Sequence, residues 1–555
     1  MWYCKPFEDI FAKVLNLPCK CGTMAMYGCS LAKSLPRVDT CQQTHLGENM
    51  SKTKLSPQEK KVLAEERKAE KSAKHQAKME QKAQNKANKR AKREQKRQAR
   101  VDAKQKRLDD AFARLTPDEQ MEVTLESIAQ LQQYNKKWYK LDNAALMYPM
   151  ISRGTSPAVF RLAVQLKEPV NPVVLQYAVN DVYPRFPTIC GTVVWGWFWP
   201  YIDKPVTPIV VKKQRKVPGR PIAVDNRRSQ IRVNYFGNQI AVEFFHSATD
   251  GSGGLVFLNS LLRCYFARLG IECDRTNCCD HRDKPTLEEV RDNFSNIAIR
   301  KNPPPCPPVV KAKVIKGTIL KNGKFTTYRG ICSAKQLHAV AKAHNASVTE
   351  FLGAAQLLAL DKLAKVTGCQ DKRPIRVLVP VNLRRLYNVE TLRNFSSYIF
   401  YQYNGQTDID EVIADLQQQT KAQMTDDYFR GMVSFNYNSG NNPLLKPVPL
   451  ALKRLVVSAV VNGRGEGIVN NSSMSNLGVV KAPKEFSDHI VRYEFMLGYP
   501  HRYTNCYSVA TFNDVCVISA ISKYDERDCE REFFTNLAKL GVDITMESDV
   551  WEDEQ

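Results

Sequence analysis

One stretch near the middle of the chain constrains the fold most, because strand, loop and helix signals follow one another there. Apolar residues alternate with other residues over 231–235 and 240–244, which predicts two β-strands. Over 255–262 apolar residues recur at helical spacing without a proline, which predicts a helix. The glycine-rich loop 246–254 joins them. This order indicates an α/β fold with His246 at the end of a strand, where loops carry chemistry on such scaffolds.

His246, Asp250 and Gly251 form the pattern His-x-x-x-Asp-Gly within that loop. Histidine has an unperturbed pKa of about 6.5, so its neutral form can take a proton from a hydroxyl or an amine near pH 7. Gly253 and Gly254 lack a Cβ atom and let the backbone approach a ligand closely. By itself the pattern fits a structural histidine beside a turn equally well.

Four other parts of the chain fit one family together with this pattern. Residues 379–384 read Val-Pro-Val-Asn-Leu-Arg, 472–478 contain Ser-Asn-Leu-Gly, 515–542 carry strand and helix signals, and 139–203 contain Arg-Phe-Pro. These segments and the His-x-x-x-Asp-Gly pattern resemble the CoA-dependent acyltransferase superfamily. That group includes chloramphenicol acetyltransferase, alcohol acetyltransferases and the condensation domains of nonribosomal peptide synthetases. The resemblance covers roughly residues 137–550 and is nearest to stand-alone alcohol acetyltransferases.

The resemblance implies both a fold and a reaction. The fold would be two chloramphenicol-acetyltransferase-like α/β halves in a V around a central tunnel, with His246 midway along it. The reaction would move an acyl group from acyl-CoA to an alcohol or amine acceptor. His246 would act as general base without a covalent enzyme intermediate, so acyl-CoA is expected as donor substrate and no cofactor is expected to be bound.

The resemblance also implies roles for further residues. Asp250 would be structural and would pair with an arginine, for which Arg384 is the candidate and Arg385 and Arg393 are alternatives. A polar side chain in the late segment would stabilise the oxyanion. The candidates for that donor are Ser473, Ser475 and Asn476.

Departures from the family pattern leave two alternatives open. The fuller condensation-domain motif has a histidine where this chain has Phe245, and the chain has no phosphopantetheine carrier signature. Phe245 therefore argues mildly against the first alternative, a condensation-type transferase with a donor bound to a separate carrier protein. The second alternative is a non-catalytic binding or tethering protein that acts through a basic arm.

That basic arm is defined by charge. Residues 51–107 hold 21 Lys and Arg against 7 Asp and Glu, which places +14 of the net charge of +24 there. Ser56 and Pro57 form a helix start, and residues 58–116 contain no Gly or Pro. We therefore predict a helical arm over 51–115. The arm lacks aromatic residues before position 112 and an apolar face. Its expected roles are a solvated helix or nonspecific contact with nucleic acid or an anionic surface.

The remaining boundaries follow from composition. Residues 1–50 stay unassigned, and Met50 is an alternative translation start. We predict the N-terminal acyltransferase half over 116–285, with a helix over 117–133 and the aromatic run 195–199 in the core. A stiff, extended, proline-rich crossover is predicted over 286–310. The C-terminal half over 311–555 is predicted to open with a strand at 314–320 and two helices that separate near Asn345. Ser333 is predicted to cap the first of these helices.

Cysteine usage and hydropathy indicate a cytoplasmic protein. The 16 cysteines are scattered, so we expect reduced thiols. Four residues that could bind zinc lie within nine positions, namely Cys273, Cys278, Cys279 and His281. Their spacing contains no Cys-x-x-Cys pair, so we predict a loop without a metal ion. No uncharged apolar run approaches the ~20 residues that span a bilayer, so no transmembrane segment is expected.

Overall fold

A computed structural model describes residue 81 and the ranges 138–151, 158–215, 218–320, 325–442, 446–455, 469–498 and 503–549. The described residues from 138 onward belong to one compact unit. Gln81 is helical. The rest of the predicted arm, the helix predicted over 117–133 and residues 1–50 lie outside the described residues.

The first part of the described chain alternates strands and helices, as predicted for an α/β fold. Its elements in chain order are β1 (Tyr139–Lys140), α1 (Met147–Ile151), β2 (Val159–Leu166), α2 (Pro172–Val182), β3 (Thr192–Trp195), β4 (Pro200–Asp203), β5 (Lys212–Lys213), β6 (Ile231–Phe236), β7 (Gln239–Phe245), α3 (Gly251–Arg268), α4 (Leu287–Val290) and α5 (Phe294–Ile297). The two strands and the helix expected around His246 are therefore confirmed as β6, β7 and α3.

The second part continues with the same two kinds of element. They are β8 (Thr326–Ser333), α6 (Ala334–Ala343), α7 (Val348–Val366), β9 (Ile375–Asn382), α8 (Arg384–Tyr387), β10 (Ser396–Tyr403), α9 (Ile409–Gln423), α10 (Asp426–Gly440), β11 (Ser472–Val479), α11 (Phe486–His489), β12 (Ile490–Met496), β13 (Asn505–Phe512), β14 (Val515–Ser522), α12 (Asp528–Lys539) and β15 (Thr545–Asp549). The closing strand-helix-strand is confirmed as β14, α12 and β15.

Three sheets organise these elements. A seven-stranded sheet has the order β10-β9-β11-β13-β14-β8-β15, a five-stranded sheet the order β12-β2-β7-β6-β5, and a small sheet the order β1-β4-β3. Strand β12 comes late in the chain, yet it pairs antiparallel with β2, with Glu494 opposite Ala163. The C-terminal half thus supplies an edge strand to the sheet whose strand β7 leads into His246.

Helix starts follow from local side-chain chemistry. Ser333 accepts a hydrogen bond from Gln336 N and caps α6, as the sequence predicts. Ser347 and Glu350 form a capping box at the start of α7, and Asn345 between the two helices has a positive φ of 54°. Such caps satisfy N–H groups that have no partner inside the helix.

Each large sheet buries an apolar face against helices. Phe160, Leu162 and Val164 on β2 are buried in one core together with residues of α2 and α3. Helix α7 is buried in the other core beneath the seven-stranded sheet and packs against α9 and α12. Burial of one such side chain contributes roughly 1.5–3 kcal/mol to the stability of the fold. The two cores therefore keep the strand ends that form the site in place.

Several expectations about the chain between and within the halves are wrong. The proline-rich crossover is not extended throughout, because it contains α4 and α5, and Phe294 and Ile297 of α5 are buried. No strand covers 314–320, where Ile319 makes only an isolated bridge to Tyr524. Apolar residues there meet the core without a neighbouring strand partner. The aromatic run is not all core either, since Trp197 is 88% exposed.

The state of the cysteines and the hydropathy of the helices both concern the expected cytoplasmic location. Ten cysteines in the described ranges are free thiols, as expected for those residues. None of the helices in the described ranges combines the length and the apolar character that crossing a bilayer requires.

Candidate active site

The turn between β7 and α3 fixes the backbone of His246. Strand β7 is hydrogen-bonded on both sides, to β2 and to β6, and ends at Phe245. The N–H of His246 donates to the carbonyl oxygen of Ala158 at 2.8 Å, and Ala248 N donates to Phe245 O at 2.8 Å. The imidazole therefore leaves the end of a rigid central strand.

Three side chains surround the imidazole ring of His246. Nδ1 lies 3.2 Å from Oδ1 of Asn394. The ring of Tyr148 stacks on it with centroids 4.4 Å apart, and Phe160 meets it edge-on at 5.2 Å. These contacts restrict rotation of the ring.

The surroundings of His246 favour its neutral form. Burial lowers its pKa from the usual value, and this effect exceeds the opposing effects of its own backbone carbonyl, the charge of Asp250 and the hydrogen bond with Asn394. With Asn394 Oδ1 as acceptor, the ring proton is on Nδ1. Nε2 then carries a free lone pair, which is the arrangement that a general base needs.

Asp250 is held by an arginine from the other half of the chain. Nη1 and Nη2 of Arg384 donate to its two carboxylate oxygens at 2.8 and 3.0 Å. Asp250 also accepts from Gly253 N, which caps α3, and from Phe395 N. Although burial acts to raise the pKa of Asp250, the charge and hydrogen bonds of Arg384 hold it below the usual value. This ionised carboxylate orients the loop, and Arg384 is the partner among the three candidate arginines.

Residues 391–395, here called the clamp segment, join the two halves at this point. Thr391 O and Arg393 O accept hydrogen bonds from Arg384 at 2.8 and 2.6 Å. Leu392 O accepts from Thr249 Oγ1 at 2.6 Å. Asn394 contacts His246, and Phe395 N donates to Asp250. Every residue of the clamp segment therefore contacts the His-x-x-x-Asp-Gly loop or Arg384.

The glycines of the loop are required by close approach. A Cβ at Gly253 would overlap Thr249 Oγ1 and the carbonyl oxygen of Leu392. A Cβ at Gly251 would lie 2.7 Å from the Leu477 side chain. The start of α3 therefore packs directly against the clamp segment and β11.

Strand β11 separates the three oxyanion candidates by face. Asn476 lies on the side of α7, where its Nδ2 donates to Thr349 Oγ1 at 3.1 Å and its Oδ1 accepts from Gly478 N at 2.8 Å. By the alternation of strand side chains, Ser473 and Ser475 lie on the opposite face. Leu477, which follows Ser475 by two positions, contacts Gly251. Asn476 is thus engaged elsewhere, and Ser473 is buried and hydrogen-bonds the thiol of Cys506. Ser475 is the candidate that remains on the face of Leu477.

Phe245 and a charged cluster flank the site. Phe245 is fully buried among apolar side chains such as Val159 and Ile202, so this position is part of the apolar core. Nearby, Arg393 Nε lies 3.3 Å from Asp142 Oδ2, and both residues are buried. Burial raises the pKa of Asp142 to about 7, despite the opposing charge of Arg393.

Sequence reasoning missed Asn394, Tyr148 and the charged cluster of Asp142 and Arg393. Asn394 is 148 positions from His246, and no periodic pattern marks such a contact. Tyr148 belongs to α1, a short helix without a cap signal.

The cysteine-rich loop has a structural arrangement in the described chain. In this loop Oδ2 of Asp280 forms ion pairs with Nη2 of Arg282 at 2.9 Å and Nη2 of Arg275 at 2.8 Å. No group of three or more potential metal ligands occurs within the described ranges.

No family model and no curated protein matches the sequence. Among solved structures, TRI101 of F. sporotrichioides, complexed with coenzyme A and T-2, aligns with a TM-score of 0.49 and 12% identity over 74% of this chain and all of that one. TRI3 trichothecene 15-O-acetyltransferase from Fusarium sporotrichioides aligns with a TM-score of 0.47 and 12% identity over 72% of this chain and 94% of that one. The first condensation domain of the CDA synthetase aligns with a TM-score of 0.47 and 14% identity over 74% of this chain and 99% of that one.

An acetyltransferase and a condensation domain are both kinds of protein that the sequence motifs resemble.

Proposed function

We propose that the protein is an acyltransferase that moves an acyl group from acyl-CoA to an alcohol or amine, with His246 as general base. The observation that carries this proposal is the position of the imidazole of His246, which stacks on Tyr148 and has Nδ1 3.2 Å from Oδ1 of Asn394, so that Nε2 is the nitrogen offered to the acceptor. The ion pair of Asp250 and Arg384 supports it, because a buried pair of this kind keeps the loop in one arrangement.

The reaction follows from these groups. Nε2 takes the proton of the acceptor hydroxyl or amine, and the acceptor atom attacks the thioester carbonyl carbon. The oxyanion that forms is stabilised by a donor, for which Ser475 is the favoured candidate. When the intermediate collapses, the C–S bond breaks and the CoA sulfur takes the proton back from the imidazolium. No acyl-enzyme forms. The arrangement of the two halves in a V around a central tunnel is part of this proposal.

The condensation-type alternative differs only in the donor. Phe245 fills an apolar cavity where the fuller motif has a histidine, which favours free acyl-CoA over a carrier-bound donor. Nonspecific contact through residues 51–107 and a cytoplasmic location remain part of the proposal. The tethering alternative rests on that arm, which lies outside the described residues.

The experiment is release of free thiol from a panel of acyl-CoA donors, each with mixed alcohols and amines. The same acyl groups on a carrier protein serve as the competing donor. We expect CoA release by the wild type and by His338→Ala, an exposed histidine elsewhere. His246→Ala should be slower by roughly 10²–10⁴-fold. Full turnover by His246→Ala would refute the assignment of the base, and turnover with carrier-bound donors alone would favour the alternative.

A further inference from the structure

The tip of the β3–β4 hairpin exposes large aromatic side chains. Strands β3 and β4 pair up to Trp195 and Pro200, so residues 196–199 form the tip. Trp197 is 88% exposed and Phe198 is 47% exposed. A Cβ at Gly196 would lie 2.5 Å from Trp199 O, so the tip is a tight turn. Exposed residues of this size on a tight turn point to a binding surface.

A short helix over residues 450–455 supports the tip from behind. Leu450 N donates to Trp197 O at 2.8 Å, and Lys453 Nζ donates to Phe198 O at 3.0 Å. The same ammonium lies 3.4 Å from the ring centroid of Trp199. The backbone of the tip is therefore fixed, while the side chains of Trp197 and Phe198 remain exposed.

Leu452 and Leu455 of the same helix are also exposed, at 53% and 67%, but they lie apart from the tip. The tip is contacted by Leu450 and Lys453, and helical spacing places Leu452 and Leu455 on the other side of the helix. We call the exposed side chains of Trp197 and Phe198 the tip patch.

The charged residues beside the tip patch are mainly basic. Arg454 is exposed and lies over the ring of Trp195 at 4.5 Å. In the neighbouring loop, Asn226 Oδ1 accepts from Trp195 N, and Arg227 and Arg228 are exposed. Asp225, 3.3 Å from Arg228, is the acidic group of that loop. The basic excess complements an anionic surface.

The inner side of the tip leads to His246. Met147 and Met150 of α1 pack with Trp195, Trp199 and Leu450. Tyr148, between those methionines, stacks on His246. One short helix thus contacts the support of the tip patch on one side and the imidazole on the other.

We propose that the tip patch docks on an anionic phospholipid surface and that the site of His246 acts on amphiphilic substrates held there. The second half of this inference rests on the proposed function. Trp and Phe beside basic residues are typical of side chains that insert at a membrane interface. Two side chains on a tight turn offer far less than the ~800 Å² per partner of a stable protein interface, which favours lipid over a protein partner.

The test is co-sedimentation of the full-length protein with vesicles of phosphatidylcholine and phosphatidylserine in equal parts. Residues 51–107 would adsorb to such vesicles electrostatically, so binding is measured at low salt and at ~0.5 M salt, where exposed charges are screened. The double variant Trp197→Ser and Phe198→Ser removes the aromatic side chains. Phe236→Ser, on the exposed turn at the opposite end of β7, is the matched control.

The wild type should keep part of its binding at high salt. The double variant should lose that part by at least about tenfold, because each large aromatic side chain that leaves water contributes strongly, and Phe236→Ser should bind like the wild type. Equal high-salt binding by the double variant and the wild type would overturn the proposal, as would no wild-type binding or an equal loss in Phe236→Ser. His246→Ala should bind vesicles normally, so failure of the catalytic proposal is seen separately.

Discussion

Oδ1 of Asn394 lies 3.2 Å from Nδ1 of His246, although the two residues are 148 positions apart in the chain. The contact joins the clamp segment of the C-terminal half to the end of β7 in the other half. It fixes the orientation of the imidazole, and with Oδ1 as acceptor it favours the tautomer that carries the proton on Nδ1. Asn394 is therefore a positioning residue for the proposed reaction.

The pH dependence of the reaction follows from this contact. Burial lowers the pKa of His246, so the wild-type kcat/KM should fall only at a pH below the usual value of about 6.5. Asn394→Asp places a carboxylate against Nδ1, which stabilises the imidazolium and should shift this acid limb to higher pH. The measurement is kcat/KM against pH. Asn388→Asp, on the surface, should keep the wild-type profile, and an unchanged profile in Asn394→Asp would contradict the role of the contact.

The ion pair of Asp250 and Arg384 should matter for both stability and rate. Arg384→Ala leaves a buried carboxylate without its partner, which should lower the free energy of unfolding by about 3–5 kcal/mol. The rate should fall with it, because the loop that carries His246 loses its support. Denaturant unfolding and thiol release measure the two effects.

Arg385→Ala is the control for this prediction, since Arg385 is exposed and adjacent. Asp250→Asn combined with Arg384→Ala should recover part of the lost stability, because no unpaired charge remains. A destabilisation by Arg385→Ala as large as that by Arg384→Ala would contradict the assignment of the partner.

Asp142 should make the protein less stable as pH rises. Its folded pKa of about 7 exceeds the unfolded value of about 3.9, so the folded state binds more protons between these values. The free energy of unfolding therefore falls with rising pH across that window. Asp142→Asn can still accept the hydrogen bond of Ala145 N and should remove this loss.

The expected gain for Asp142→Asn at pH 8 is on the order of 1–4 kcal/mol, and it should vanish near pH 4. Urea unfolding at several pH values measures it. Asp427→Asn, at an exposed carboxylate, should show no such trend. A gain that is the same at pH 4 and pH 8 would show that the charge of Asp142 is not its cause.

The parts of the structure that the sequence predicted are those with local causes. Alternation over 231–244 placed β6 and β7, and the cap at Ser333 placed the start of α6. The capping box of Thr286 and Glu289 at α4 was readable in the same way, but the surrounding prolines drew the prediction toward an extended crossover.

The parts that could not be predicted depend on contacts distant in sequence. Asn394 and Tyr148 reach His246 only after the strands pair, and the pairing of β12 with β2 crosses the whole fold. Asn476 was an oxyanion candidate by sequence, yet its face of β11 became visible only from the contact with Thr349. Aromatic residues at 195–199 look like core in sequence, because exposure depends on what packs around a hairpin tip.

The central claim is direct transfer with His246 as base, and intact mass combined with thiol release tests it most directly. The wild type is incubated with an acyl-CoA that it uses, first without and then with the acceptor, beside His246→Gln. We predict no acyl group on the wild-type chain in either case, CoA release only with the acceptor, and release by His246→Gln slower by roughly 10²–10⁴-fold. A stable acyl-enzyme before the acceptor is added, or wild-type turnover by His246→Gln, would contradict the account.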